Sequence, residues 1–260
     1  MTPPAGVRTP RILPELESYY DTVPRAGATS FEVGPFTLFV KRDPDGWDYY
    51  ARPRLGLEEP VTPADVDVLR ARQRSLRVAE SIEWVHQTTP TLRAAVLESG
   101  LTVTDCPLLV LGTALEVAVA GFEVRMLSAD DALGPVLGAV DAAFNGTNTV
   151  RPRAATRQAR LLREGLQAMA GAYDGRGSVV GGGSHGPRGT VTELTGIGVL
   201  PRARRHGVGA AVTAALVRDA HARGMRTVFL SAQDDAVARV YERVGFVRVG
   251  TACIAGSPPG

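Results

Sequence analysis

The run Val199-Leu200-Pro201-Arg202-Ala203-Arg204-Arg205-His206-Gly207-Val208-Gly209-Ala210 decides how this chain is read. A stretch rich in β-branched residues over 195–200 stops at Pro201, and two glycines then open a periodic helix. Val208, Ala211, Val212, Ala215, Leu216 and Ala220 trace one helical face, and Gly224 is placed to end it. A helix start exposes backbone N–H groups that have no intrahelical partner, and the helix dipole favours negative charge there. Gly207 and Gly209 have no Cβ, so a bulky anion can rest directly on those amides. Arg204 and Arg205 add positive charge at the mouth. The pattern reads as a seat for a pyrophosphate between a strand and a helix.

Working outward, the second half of the chain predicts a strand over 122–127 and a helix from Ser128, Asp130 and Asp131 to about Phe144. After the loop Asn145-Gly146-Thr147 comes a second helix over 153–169, with Leu161, Leu162, Leu166 and Met169 on one face. A short strand over 178–182, a turn at Pro187-Arg188-Gly189 and a long strand over 190–200 lead to the seat. Helix 205–223, strand 226–232, helix 234–244 and strand 246–254 follow.

Two common phosphate seats do not fit. A P-loop needs a lysine just after its second glycine, and the only lysine is Lys41, far upstream. A dinucleotide fingerprint needs three glycines and a later acid at a strand end, and neither is present. The spacing Arg204-x-x-Gly207-x-Gly209 instead resembles the acetyl-coenzyme A signature Arg/Gln-x-x-Gly-x-Gly/Ala of the GCN5-related N-acetyltransferases (GNAT). The segment 234–246, with Tyr241 followed by Gly245-Phe246, resembles that family's Ala-x-x-x-Tyr-x-x-x-Gly-Phe closing motif. The order β-α-α-β-β-β-α-β-α-β over 120–260 is similar to the family's order. The resemblance implies an α/β fold with a mixed sheet, the acyl-CoA N-acyltransferase fold.

The first half predicts a hairpin of 31–33 and 36–40, a strand over 47–52, a helix from Val61-Thr62-Pro63 to about Val78 and a strand over 81–85. A helix capped by Thr89-Pro90-Thr91 and ending at Gly100 precedes a strand over 101–111. That order resembles the second half of a GNAT domain. Ser81 to Gly100 and Arg226 to Gly245 are both nineteen positions. Where the seat has its glycines, however, Asp65-Val66-Asp67-Val68-Leu69 has none, and its acids would repel a pyrophosphate. The expectation is two tandem GNAT-like domains: a degenerate copy over 1–118 that binds no cofactor, and a catalytic domain over 120–260. An unrelated α+β domain is the alternative for the first half.

The resemblance also implies roles. Backbone amides at Ile197, Gly198 and Val199 would polarise the thioester and pair with the pantetheine arm. The amides of Arg205, His206, Gly207, Val208, Gly209 and Ala210, with Arg204 beside them, would hold the pyrophosphate. Tyr241 would act as general acid toward the thiolate, although Val237, Val240 and Val244 share its helical face and fit a core position as well. Asp234, with Gln233, stands where the family often has Asn on the pantetheine arm. Glu193, six positions before Val199, would be the base, given a pKa raised by burial. A solvated strand-end carboxylate is the other reading, since some family members use no dedicated base.

Gly182-Gly183-Ser184-His185-Gly186 matches the Gly-x-Ser-x-Gly elbow of serine hydrolases, but a β-rich run and not a helix follows it. The segment is expected as a strand and hairpin loop lining an acceptor groove, with His185 exposed. His86 and His221 fall in no pattern, and no histidine pair has metal-ligand spacing, so no metal is expected.

The 260 residues suffice for one large or two small domains, with 44% hydrophobic and 22% charged residues as in ordinary globular chains. A formal net charge of +2 without an aromatic-studded basic stripe argues against nucleic acid as a partner. Cys106 and Cys253 are isolated, which predicts buried reduced thiols. The Pro-rich start over 1–14 has no apolar core of a signal peptide, and no apolar run reaches membrane-spanning length. A cytoplasmic protein that engages no membrane is expected. The functional expectation is acetyl transfer from acetyl-CoA to a primary amine of a small molecule or peptide, a homodimer being allowed. A non-catalytic acyl-CoA sensor or partner-binding module is the alternative.

Overall fold

The computed structural model describes residues 9–43, 48–114, 117 and 119–257. In chain order its elements are α1 (Thr9–Arg25), β1 (Ala28–Val33), β2 (Phe36–Lys41), β3 (Ala51–Pro53), α2 (Pro63–Ser75), β4 (Ile82–Val85), α3 (Leu92–Glu98) and β5 (Thr102–Leu111). Then follow β6 (Phe122–Leu127), α4 (Leu133–Phe144), α5 (Thr156–Arg163), β7 (Ala168–Asp174), β8 (Val179–Arg188) and β9 (Val191–Val199). A short 3-10 turn (Pro201–Ala203) leads to α6 (Val208–Ala222), β10 (Thr227–Ser231), α7 (Asp235–Glu242) and β11 (Phe246–Gly256). No helix among the described residues is long and apolar enough to cross a membrane.

The chain divides into two compact units, and the division is not the expected one at 118–120. The N-terminal unit runs to Leu109 and also takes Ser231–Ala238 and the residues from Arg248 on; the C-terminal unit holds Val110–Leu230 and Arg239–Val247. The reason is strand pairing: β11 lies antiparallel to β4, with Ala252 opposite Val85 and Ala255 opposite Ile82.

Within the N-terminal unit the strand order is β1-β2-β3-β4-β11-β5. The pairs β1/β2 and β2/β3 are antiparallel and β3/β4 is parallel. Phe36, Leu38, Ile82 and Trp84 bury one sheet face against Val66 and Leu69 of α2 and Leu92 and Val96 of α3. Each such large side chain contributes on the order of 1.5–3 kcal/mol when fully buried. The first helix was not legible, because its start is Pro-rich; Leu13, Leu16, Tyr19 and Tyr20 form its buried stripe. Of the expected strand 47–52, Trp47 lies outside the described residues and only 51–52 are extended. Cys106 and Cys253 are buried free thiols, as expected.

Within the C-terminal unit the order is β6-β7-β8-β9-β10. The first three pairings are antiparallel and β9/β10 is parallel. Over β7-β8-β9-β10 the succession antiparallel, antiparallel, parallel therefore repeats that of β1-β2-β3-β4. Two expected elements are corrected. The helix predicted over 153–169 ends at Arg163; Gly165 turns the chain at φ 69°, and Met169 sits in β7. The hairpin loop predicted around Ser184 is the middle of β8, which runs to Arg188.

Glycines hid that strand, and packing explains them. A Cβ on Gly182 would stand 2.5 Å from Val136 Cγ1 and 2.7 Å from the Ala170 carbonyl oxygen, so α4 lies directly on the sheet. On the opposite face, a Cβ on Gly183 would stand 2.9 Å from Ile197 Cγ1 and 3.2 Å from Leu216 Cδ1 of α6. Gly182→Ala is expected to destabilise the protein by about 1–3 kcal/mol, because a backbone oxygen cannot yield. The urea midpoint checks this, and an unchanged midpoint would contradict the packing.

Candidate active site

Three features of the C-terminal unit converge on one end of β9. The first is a bulge. Gly182 opposes Gly198 and Ser184 opposes Thr195, so β9 carries one residue more than β8, and Gly196 takes it up at φ 61°. The second is a parting of strands. The β9/β10 register ends at the pair Glu193–Phe229, so Ile197, Gly198 and Val199 lie beyond the last β10 partner. Glu193 is half-buried at that branch point, with Gly186 of β8 on its other side.

The third feature is the turn into α6. Leu200 N–H donates to Val180 O at 2.8 Å and closes β9 onto β8. The Arg204 guanidinium then folds back, donating from Nε to Val199 O at 3.0 Å and from Nη2 to Ala143 O at 2.7 Å. Arg204 is thus a brace for the turn, a role its position in the motif did not disclose. Arg205 is exposed and left-handed at φ 64°, a conformation that costs a non-glycine residue about 1–2 kcal/mol. Gly207 is the N-cap of α6 at φ 82° and offers no side chain to cap it. The first helical bond is Ala211 N–H to Gly207 O. Consequently the amides of Arg205 through Ala210 donate in no hydrogen bond among the described residues. A Cβ on Gly209 would meet only Val199 Cγ2, at an ordinary 3.7 Å. That glycine leaves the amides bare and fills no tight internal contact.

The remaining expected residues sort themselves. His206 donates from Nδ1 to Arg204 O at 2.8 Å and leans on Phe122 at 5.7 Å between ring centroids. Tyr241 packs edge-on against Phe246 at 6.0 Å, its hydroxyl makes no hydrogen bond among the described residues, and burial pushes its pKa up to about 12. It therefore stays protonated through the neutral range. Val240 is 43% exposed, so the buried face of α7 is Ala238 with Tyr241, not the expected face through Val240. Asp234 falls in the N-terminal unit, and its Oδ1 accepts the Val237 N–H at 2.8 Å, capping α7.

His185 was expected to be exposed and is fully buried. Its Nδ1 meets Thr192 Oγ1 at 2.9 Å and its Nε2 meets Asp219 Oδ2 at 2.8 Å. Asp219 also accepts from Arg223 Nε at 2.5 Å. The connectivity mimics a hydroxyl–histidine–carboxylate triad, yet His185 and Thr192 are both 0% exposed and no substrate can reach them. Ser184 points to the other face and pairs with Thr195 Oγ1 at 3.1 Å, which removes the hydrolase reading. The network ties β8, β9 and α6 together next to the branch point. Strand alternation places His185 with Gly183 on the α6 face, but the glycine run masked that strand in the sequence.

Known proteins agree with this architecture. Residues 141–246 match the model of the Acetyltransferase (GNAT) family. The match places it broadly among acyltransferases. A GCN5-related N-acetyltransferase from Kribbella flavida is 23% identical with a TM-score of 0.71, covering 96% of each chain. One from Sphaerobacter thermophilus is 15% identical with a TM-score of 0.63, covering 95% of this chain and 86% of its own. A tandem GNAT protein from the clavulanic acid biosynthesis pathway is 15% identical with a TM-score of 0.52, covering 86% and 79%. At these identities the likeness is one of fold. No curated protein matches.

Burial lowers the His185 pKa below 6.5, and Asp219 only partly opposes this. The folded state therefore holds His185 neutral, and the unfolded chain binds its proton first as pH falls. The stability this group contributes is present above about pH 6.5 and is lost on acidification below it. In His185→Gln the slope of melting temperature between about pH 7 and pH 5 should be shallower than in the wild type; an unchanged slope would assign the pH dependence elsewhere.

Proposed function

We propose that the C-terminal unit transfers an acetyl group from acetyl-CoA to a primary amine by direct attack. The observation that carries this reading is the row of unbonded amides from Arg205 to Ala210, standing where β9 has left its β10 partner. A nucleotide diphosphate fits such a row: the donors are bare, they point outward from a helix start, and no acid stands in the first turn of α6. Acetyl-CoA, when bound there, supplies the activated thioester. Ile197, Gly198 and Val199 lie on the stretch of β9 that can receive an extended arm by strand-like pairing.

Tyr241 keeps its proton at neutral pH and serves as donor to the departing sulfur. Glu193, at the mouth of the split, takes the proton of the incoming ammonium, directly or through water. The acceptor is a small-molecule or peptide amine, and the setting is cytoplasmic. The N-terminal unit supports a tandem reading, because it repeats the strand succession while closing its own helix start. Thr62 accepts the Asp65 N–H at 3.3 Å and Asp65 accepts the Thr62 N–H at 2.9 Å, so a capping box occupies the place of the open seat.

Gly207→Glu places a Cβ, a left-handed strain and a negative charge on the seat. Affinity for acetyl-CoA by calorimetry is expected to fall at least about tenfold while circular dichroism stays native. Unchanged affinity would reject the seat. Tyr241→Phe is expected to lower kcat on the order of 10²-fold, with little change in the acetyl-CoA KM. Thiol release with an amine panel measures both, and equal turnover would remove the acid role. Release of no thiol with any amine, despite tight acetyl-CoA binding, would favour a sensor.

A further inference from the structure

The N-terminal unit contains a cavity of about 380 Å³ that acetyl transfer leaves unused. It lies beyond the C-terminal ends of two parallel strands, β3 and β4, which share the single pair Ala51–Ile82 and then diverge. Its walls come from α1, from the turn after β3 and from the segment after β4. Crevices at the carboxyl ends of parting parallel strands are recurrent ligand sites, and the volume is at the small end of ligand pockets, about 300–1,000 Å³.

The polar groups in it are of two kinds. The acceptors are Glu17 and Thr89. The Glu17 side chain is 14% exposed; Oε2 takes Arg52 Nη2 at 2.9 Å, and Oε1 takes the Thr88 hydroxyl at 2.7 Å and the Val85 N–H at 3.4 Å. Three donors leave room on a carboxylate with about four acceptor positions. Arg52 is itself buried and lies over the Tyr20 ring at 4.4 Å, so the carboxylate is held rigidly. Thr89 is 8% exposed, lines the cavity, and its hydroxyl has no hydrogen-bond partner among the described residues.

The donors are on the opposing turn. Leu57 N–H closes onto Arg54 O at 3.1 Å with Gly56 at φ 73°, and the amides of Leu55 and Gly56 donate in no hydrogen bond among the described residues. The Arg54 guanidinium is half-exposed at the same rim, with Glu32 no closer than 3.8 Å. Pro14, Pro53 and Leu57 supply the apolar wall.

We propose that this cavity binds a free α-amino acid with an apolar side chain. Glu17 and Thr89 take the ammonium, the Leu55 and Gly56 amides with Arg54 take the carboxylate, and the proline and leucine wall takes the side chain. A plain amine would leave the donor turn unsatisfied, and a plain carboxylic acid would set its charge against Glu17; both are penalised in a partly desolvated site.

Calorimetry on the full chain tests this with L-leucine, L-valine, L-methionine and L-phenylalanine. Two truncated probes accompany them: 3-methylbutylamine, which lacks the carboxylate, and 4-methylpentanoate, which lacks the ammonium. Saturable binding of at least one amino acid is expected, with both truncated probes weaker by about tenfold or more. Glu17 is left in place because Arg52 depends on it. Arg54→Ala, at an exposed position, and Thr89→Val, of equal shape, should each weaken the amino acid about tenfold. Gly207→Glu should leave it unchanged, which separates this site from the acetyl-CoA seat. The proposal is overturned if none of the four amino acids gives saturable heat, if a truncated probe binds as well, or if both variants bind like the wild type.

Discussion

A helix start deliberately left open is the constraint on which the C-terminal unit is organised. Most helices close their first turn with a side chain from the N-cap, and α2 does so with Thr62 and Asp65. Helix α6 has Gly207 there instead, which has no side chain to offer and adopts a conformation that few other residues tolerate. Exposed donors of this kind would normally relax toward water or local partners. Here Arg204 holds the turn from behind, spending its guanidinium on the carbonyls of Val199 and Ala143. The left-handed Arg205 shows that the surrounding structure sustains some strain to keep the amides aimed outward.

The sheet behind that turn must be thin, and glycine makes it so. Gly182, Gly183 and Gly198 let α4 and α6 approach the backbone of β8 and β9 from both sides. Glycine alone would leave the strands poorly specified, since it fixes neither register nor face. The buried His185, bonded to Thr192 across the strand and to Asp219 across the layer, supplies specific polar contacts. Burial of such a network is worthwhile only when every member is satisfied, and both ring nitrogens are. The register it supports ends at Glu193, where β10 departs.

The two units share a succession of strands and differ in chemistry. The C-terminal unit exposes main-chain donors; the N-terminal unit consumes its own at α2 and concentrates buried charge instead. Arg52 remains charged despite burial, which works against it, because Glu17 and Glu83 face it. Burial raises Glu83 to about 7, with Arg52 only partly offsetting the effect. Removing either partner of such a pair strands a charge, so these residues are fixed as a group. A fold used twice has been left open at different points.

The sequence by itself determined the open start of α6, because its causes are local. Pro201 ends a strand, Gly207 and Gly209 bare the amides, and the apolar spacing from Val208 to Ala220 sets the helix, all within twenty-five residues of one another. It also determined the hairpin of β1 and β2 and the start of α2 at Thr62-Pro63, which rest on neighbours in the chain. Only the tertiary structure decided the rest. The role of Arg204 depends on the carbonyl of Ala143, and the burial of His185 on Asp219, a helix away in sequence. The glycine run of β8 looked like a loop because its reason, the close approach of Val136 and Ile197, lies in other elements. Likewise β11 belongs to the N-terminal unit because it pairs with β4, and long-range strand pairing leaves no mark on local composition.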